Sequence, residues 1–175
     1  AWSITTGSHA VKVAVIDSGI DQTHPDLLPN LWTNPLEIPG NGLDDDGNGY
    51  IDDIRGWDFV NNDAVPHDDH SHGTHCAGTV GAEGNNGTGV TGVNWAVSLI
   101  GLKFLDSTGN GTTSDAVEAI AYATALGVHI MSNSWSGEGY STSLKEAIDE
   151  ADEAGILFIA AAGNSGSYLE FYPEY

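Results

Sequence analysis

The chain has 175 residues, which is enough for one domain with a sizeable core that needs no disulfides. Apolar residues make up 40% of it, which excludes wholesale disorder, and 4 basic against 25 acidic residues give a net charge of −21. Such a charge repels phosphate backbones and anionic membrane surfaces, so we expect neither a nucleic-acid nor a membrane partner.

Predicted strands and helices alternate along the chain. Apolar, β-branched runs indicate strands, and apolar residues at helical spacing indicate helices. In chain order the elements are a strand over 11–16, a helix opening at Gly73, a strand over 97–104, a helix over 115–126, a strand over 128–131, a helix that ends at Gly155 and a strand over 156–162. We expect Ser143 and Glu146 to form a capping box at the start of the third helix.

This alternation predicts the fold class. Strands joined by helices of this length favour right-handed βαβ units, and hence an α/β fold with three layers: a mostly parallel central sheet and helices on both faces. The last predicted strand is apolar on both faces, which is unlike an edge strand. In such sheets the reactive groups gather at the carboxyl ends of the strands.

Three polar segments stand where a reactive group would be placed. Asp17 ends the first strand in Ile16-Asp17-Ser18-Gly19, His72 lies in His70-Ser71-His72-Gly73-Thr74-His75-Cys76, and Asn164 follows the last strand in Ala162-Gly163-Asn164-Ser165-Gly166. Each segment alone is typical of a turn or a helix start. Taken together, a His-Gly-Thr-His run after Asp-Ser-Gly is hard to get by chance.

In this order the three segments resemble the subtilisin-like serine proteases, the subtilase family, across essentially the whole chain. The resemblance implies a subtilisin-like fold and a serine endopeptidase that acts on peptide or protein substrates. Asp17 would orient the imidazole, His72 would act as general base, and Asn164 would donate to the oxyanion. Relatives are mostly secreted, which implies an extracellular location.

The family's nucleophile lies in a Gly-Thr-Ser-type segment, and the 175 residues contain no such segment. We therefore expect residues 1–175 to be a partial peptidase domain, inactive alone, truncated at the C-terminus. The missing C-terminal segment of the same domain would then be its partner, and it would carry the serine.

The resemblance also implies a substrate cleft between two strand ends. One end would pair with an extended peptide by strand addition, and the small side chains of the other would leave room for a substrate side chain. The residues concerned are Ser134, Trp135 and Ser136 on the first, and Ala160, Ala161, Ala162 and Gly163 on the second. Cys76 is expected to pack behind the histidine.

An acidic loop over 41–53 is the strongest local signal for a metal. Residues with oxygen ligands recur at the spacing of a calcium loop: Asp44, Asp46, Asn48, Tyr50 through its carbonyl, and Asp52. Arg55 stands where an EF-hand has its bidentate glutamate, so we expect Asp53 to supply the missing oxygens. Repulsion among the aspartates favours a structural calcium ion over an empty turn.

A second calcium site is implied by the resemblance alone. The family's structural site joins an aspartate and an asparagine side chain with loop carbonyls. In this chain those side chains would be Asp26 and Asn86, the latter in the loop over 84–90.

Other classes of function remain open. His70, His72 and His75 resemble the first half of a zinc-hydrolase site, although Thr74 stands where that pattern has an aspartate. The segment over 163–167 resembles the nucleophile elbow of an α/β-hydrolase, although it ends in serine and no histidine follows it. A non-catalytic module that binds calcium or peptides would also account for the acidic loop.

Overall fold

A computed structural model describes residues 1–137, 139–164 and 166 of the chain. Within these residues one parallel sheet has the strand order β2-β3-β1-β4-β5, with helices packed on both faces. The elements are β1 (Gly7–Asp17), β2 (Gly56–Asp58), α1 (His72–Gly81), β3 (Ala96–Lys103), α2 (Thr113–Ala125), β4 (Ile130–Asn133), α3 (Thr142–Glu153) and β5 (Leu157–Ala160), with a 3-10 turn at Leu28–Asn30.

Alternate residues of the central strand face two separate apolar cores. Ala14 and Ile16 of β1 pack with Ile120 and its neighbours on the face that α2 and α3 cover. Val13 and Val15 pack with Ala77 on the face that α1 covers. This two-residue alternation buries both faces of β1, and the three-layer α/β fold predicted from the sequence is confirmed.

The order of the strands places the candidate site. Because β1 lies at the centre of the sheet and all pairings are parallel, the carboxyl ends of β1, β3, β4 and β5 lie on the same edge. Asp17 is the last residue of β1, and the chain leaves β4 and β5 at residues 133 and 160. Asp17 and the two expected substrate-binding segments therefore share one edge of the sheet.

Two strands differ from the sequence prediction. β2 has only three residues, too few to produce a strand pattern, and it forms because Gly56–Asp58 pairs with β3. Within the described residues β5 pairs with β4 alone. The expectation that this run is not an edge strand is therefore wrong there. α3 packs against β5, whereas Leu157 and Ile159 remain 60% and 53% exposed.

None of the described helices combines the length and the apolar character that crossing a membrane requires.

Candidate active site

Asp17 and His72 form a hydrogen-bonded pair at the edge of the sheet. His72 is the first residue of α1, and its Nδ1 lies 2.7 Å from Oδ1 of Asp17. An ionised carboxylate only accepts hydrogen bonds, so Nδ1 carries the hydrogen of this contact, and in the neutral ring Nε2 then carries the lone pair. The Asp17 side chain is fully buried while that of His72 is 43% exposed, so the pair joins a buried carboxylate to an accessible base.

Glycine permits the close approach of the helix to the strand at this point. A Cβ on Gly73 would lie 2.2 Å from the carbonyl oxygen of Gly19, and Gly19 itself has a φ of +102°. A side chain at Gly73 would push the start of α1, and His72 with it, away from the end of β1. A side chain at Gly19 would meet the backbone of residues 66–68 and would be strained at this positive φ. Sterics therefore explain why glycine stands in both runs, in Asp-Ser-Gly at the end of β1 and in His-Gly at the start of α1.

Cys76 lies one helical turn after His72 and beside the pair. Its Sγ is 3.9 Å from Nδ1 and 4.0 Å from Nε2 of His72. Burial raises the pKa of the Cys76 thiol, and the negative charge of Asp17 acts in the same direction. The sulfur is therefore held as a thiol rather than a nucleophilic thiolate, which agrees with a packing role.

The expected substrate-binding segments continue the chain from the adjacent ends of β4 and β5. Asn133 pairs with Ala160, and the N–H of Ala161 donates to the carbonyl of Asn133 at 3.0 Å. Ser134 and Trp135 are half-buried, and the Trp135 ring packs edge-on against Phe104 with ring centroids 4.9 Å apart. The remaining members of the two segments are exposed: Ser136, Ala160, Ala161, Ala162 and Gly163.

Asn164 follows the second segment directly. Gly163 has a φ of +77°, a turn that brings the chain out of the strand, and the Asn164 side chain is exposed. Asn164 thus follows the carboxyl end of β5, at the same sheet edge as Asp17. The serines at 165 and 167 of the elbow-like segment lie outside the described residues.

The acidic loop brings three carboxylates together, and one of them was not expected. Oxygens of Glu37, Asp46 and Asp53 lie within 4.8 Å of one another, with Asp53 fully buried and Glu37 6% exposed. Glu37 stands outside the loop over 41–53, so the spacing used to find the loop gives no sign of it. Burial raises the pKa of Asp53, and the charge of Asp46 adds to the rise.

Amide and phenol groups surround the buried carboxylate of Asp53. Asn34 donates to Asp53 at 2.9 Å and to Asp46 at 3.0 Å, Asn48 donates to Asp53 at 2.8 Å, and the Tyr122 hydroxyl donates to it as well. The oxygens of the two asparagine amides accept from the N–H groups of Leu36 and Tyr50. An amide rotated by half a turn gives up that bond and presents its oxygen where its NH₂ stood. Asn34 and Asn48 can therefore supply oxygens to a cation, and the donor set fits calcium.

Other members of the predicted loop set face their own turns. Asp44 accepts from the N–H groups of Gly47, Asn48 and Gly49, and Asp52 accepts from those of residues 40–42. The N–H of Tyr50 donates to Asn48, and its ring packs on Trp57, Phe59 and Tyr122. These residues shape the loop around the three clustered carboxylates.

The second predicted pair, Asp26 and Asn86, is also in contact. The Asn86 amide donates to Oδ1 of Asp26 at 2.7 Å, and the Val90 N–H donates to Oδ2 at 2.8 Å. Asp26 is 1% exposed. The fold therefore joins two segments 60 residues apart, as the resemblance implies.

The histidine cluster does not form a metal site within the described residues. The groupings of potential ligands found there are Asp17 with His72 and Cys76, and Glu37 with Asp46 and Asp53. Neither contains His70 or His75, and Nδ1 of His72 is engaged with Asp17. A zinc-hydrolase centre on these histidines is not favoured.

Comparison with known proteins agrees with this geometry. The sequence profile of the subtilase family matches residues 8–173. Subtilisin-like protease 1 of Plasmodium berghei is 44% identical over 92% of the chain, the thermophilic serine proteinase of Bacillus sp. AK1 is 39% identical over 99%, and thermitase of Thermoactinomyces vulgaris is 35% identical over 100%. The matched parts are 27%, 38% and 54% of the length of these relatives.

Proposed function

The chain belongs to the subtilase family, and we propose that it forms part of a serine endopeptidase domain in which Asp17 and His72 activate a serine. The observation that carries the proposal is the 2.7 Å contact between a buried carboxylate and a half-exposed imidazole. With Nδ1 hydrogen bonded to Asp17, Nε2 is the atom that takes the proton from the serine hydroxyl. Asp17 then stabilises the imidazolium that forms, and Nε2 returns the proton to the leaving amine.

The nucleophile belongs to a Gly-Thr-Ser-type segment outside these 175 residues. That segment of the same domain is the partner that the proposal requires. Asn164 supplies a donor to the oxyanion of the tetrahedral intermediate, where charge develops only as the reaction proceeds. Peptide or protein substrates bind in extended form along residues 134–136, with residues 160–163 forming the opposite wall of the cleft.

The proposal includes two structural calcium sites. Glu37, Asp46 and Asp53, with Asn34 and Asn48, would hold one ion by oxygen ligands alone. Asp26 and Asn86 would hold the second. Bound calcium would neutralise carboxylates that the fold buries together. An extracellular location, where calcium is plentiful enough for such sites, completes the proposal.

The test is a peptidase assay on a complete domain that contains this chain. His72→Ala should remove nearly all activity, and Asn164→Ala should lower kcat about 100- to 1,000-fold with little change in KM, the loss known for removal of this kind of donor in the family. His70→Ala and His75→Ala are matched controls, because they delete imidazoles on either side of His72 and should leave most activity.

Two results would contradict the proposal. Equal loss in all three histidine variants, with activity removed by chelators and restored by zinc, would establish a zinc hydrolase. A folded complete domain that binds calcium but neither cleaves peptides nor reacts with a serine-directed phosphonate would establish a non-catalytic module.

A further inference from the structure

A second buried carboxylate lies beside the Asp17–His72 pair. It is hydrogen bonded both to the residue that follows β1 and to residues at the start of α1. Asp68 is 9% exposed and stands four residues before His72. We propose that Asp68 is a positioning residue that keeps His72 within hydrogen-bond distance of Asp17. The inference rests on the proposed role of His72 as general base.

Five hydrogen bonds saturate the Asp68 carboxylate. Oδ1 accepts from Ser18 Oγ at 2.8 Å and from the N–H groups of His70 and Ser71 at 2.9 and 2.8 Å. Oδ2 accepts from the N–H of Thr74 at 2.8 Å and from its hydroxyl at 2.6 Å. Burial acts to raise the pKa of Asp68, but the bonds from Thr74, His70 and Ser18 outweigh it and lower the pKa. The group is therefore ionised at neutral pH.

Two of these donors bridge the strand end and the helix. Ser18 Oγ donates to Asp68 and accepts from the N–H of Gly73 at 2.9 Å. Thr74 Oγ1 donates to Asp68 and accepts from the N–H of Asp21 at 2.9 Å. A hydroxyl has one hydrogen to donate. Because each hydroxyl donates it to Asp68, its oxygen is left to accept from the other side: from the start of α1 for Ser18, and from the loop after β1 for Thr74. The bridges flank the pair, because Ser18 follows Asp17 and Gly73 follows His72.

The backbone before His72 needs this support. Ser71 has a φ of +80°, a left-handed conformation that costs a non-glycine residue about 1 kcal/mol or more. Its side chain does not cap α1, and its N–H is held by Asp68. An ordinary helix cap would explain the bonds to residues 70, 71 and 74. It would not explain the bond to Ser18, which belongs to the strand end.

The experiment follows the hydrogen on Nδ1 of His72 in the 175-residue chain. A proton shared with a buried carboxylate gives a low-field NMR signal, and ¹⁵N shifts of the ring report which nitrogen carries it. The variants are Asp68→Asn, Thr74→Val, which removes one bridging hydroxyl at nearly constant shape, and Thr74→Ser, which keeps it. Asp58→Asn is the control, because Asp58 is 2% exposed and, among the described residues, its carboxylate accepts from Asn61 and not from the residues around His72.

We expect Asp68→Asn and Thr74→Val to lose the low-field signal and the preference for hydrogen on Nδ1. Thr74→Ser and Asp58→Asn should keep both, even if Asp58→Asn melts at a lower temperature. A folded Asp68→Asn chain with an unchanged signal would overturn the inference. If Asp68→Asn does not fold, equal signals in Thr74→Val and Thr74→Ser would overturn it. The experiment detects the proton on Nδ1 of His72 and not peptide hydrolysis. The role of Asp68 and the proposed peptidase function can therefore fail independently.

Discussion

At the scale of single residues, Asp53 should couple calcium binding to pH. Its pKa lies above the ordinary value because it is buried beside other acids, so the folded chain binds more protons there than the unfolded chain. Without calcium, the contribution of Asp53 to stability is therefore greatest at low pH and is lost as pH rises through the folded pKa. Calcium needs the ionised form, and binding it releases protons.

The stabilisation by calcium should accordingly grow as pH rises through this range. The measurement is a series of thermal melts from pH 4 upward, each with excess calcium and with chelator. We expect the two melting temperatures to diverge with rising pH. A difference that stays constant across the series would show that Asp53 does not bind the ion.

Individual residues also show how far sequence patterns reach. Asp17 and His72 could be identified because each lies in a short run with glycine. Their contact depends on the close approach of Gly73 to Gly19. Glu37 and Asp68 could not be identified by spacing. Their roles arise from tertiary contacts with residues on other segments, and a lone acidic residue in a loop has no pattern of its own. The sequence feature that could have drawn attention to Asp68 is its position, as an acidic residue shortly before the start of a helix.

At the scale of elements, two serines are candidates for the N-cap residue of α3. The sequence favours Ser143, but the helix begins at Thr142 and the hydroxyl of Ser141 accepts from the N–H of Leu144. Ser141→Ala should lower the free energy of unfolding by about 1 kcal/mol, because it leaves that N–H without its acceptor. Ser143→Ala is the matched control: it removes an exposed hydroxyl that contacts the Ser141 hydroxyl but accepts from no backbone N–H of the described helix, and it should change this free energy by a few tenths of a kcal/mol at most. Urea denaturation of both variants measures the difference, and equal losses would contradict the assignment.

Elements with long apolar patterns were predictable, and those defined by pairing were not. The run over 11–16 predicted the core of β1, and the spacing over 115–126 predicted α2 to within two residues at its start. β2 exists only because a neighbouring strand offers hydrogen bonds. β5 has the composition of a buried strand, yet Leu157 and Ile159 are exposed in the described part of the chain. Composition reports what a strand can bury and not which residues cover it.

At the scale of the whole molecule, the charge of −21 produces self-repulsion that any dissolved salt screens. The stabilisation by specifically bound calcium therefore has to be separated from the effect of screening. Calcium at a hundredfold excess over its Kd should add about 2.7 kcal/mol per site, and sodium chloride at matched ionic strength should add less. Glu37→Gln should remove the specific part of the gain. Glu150→Gln changes the same group and the same charge on the exposed surface of α3 and should retain it. Equal calcium gains in the two variants would exclude Glu37 from the site.

The last prediction concerns the reactivity of the whole chain. Peptide hydrolysis needs a hydroxyl that can reach Nε2 of His72, and within the described residues the hydrogen-bonding contacts of that imidazole are with Asp17 and Cys76. Ser18, the serine next to Asp17, is fully buried, and its hydroxyl is already bonded to Asp68 and Gly73. An unactivated hydroxyl is a weak nucleophile. We therefore expect the 175-residue chain, incubated with a fluorophosphonate, to keep its intact mass, whereas a complete domain carrying the Gly-Thr-Ser-type segment should gain one adduct that His72→Ala abolishes. A stoichiometric adduct on a serine within the 175 residues would place the nucleophile inside this chain and would remove the basis for assigning Asn164 to the oxyanion.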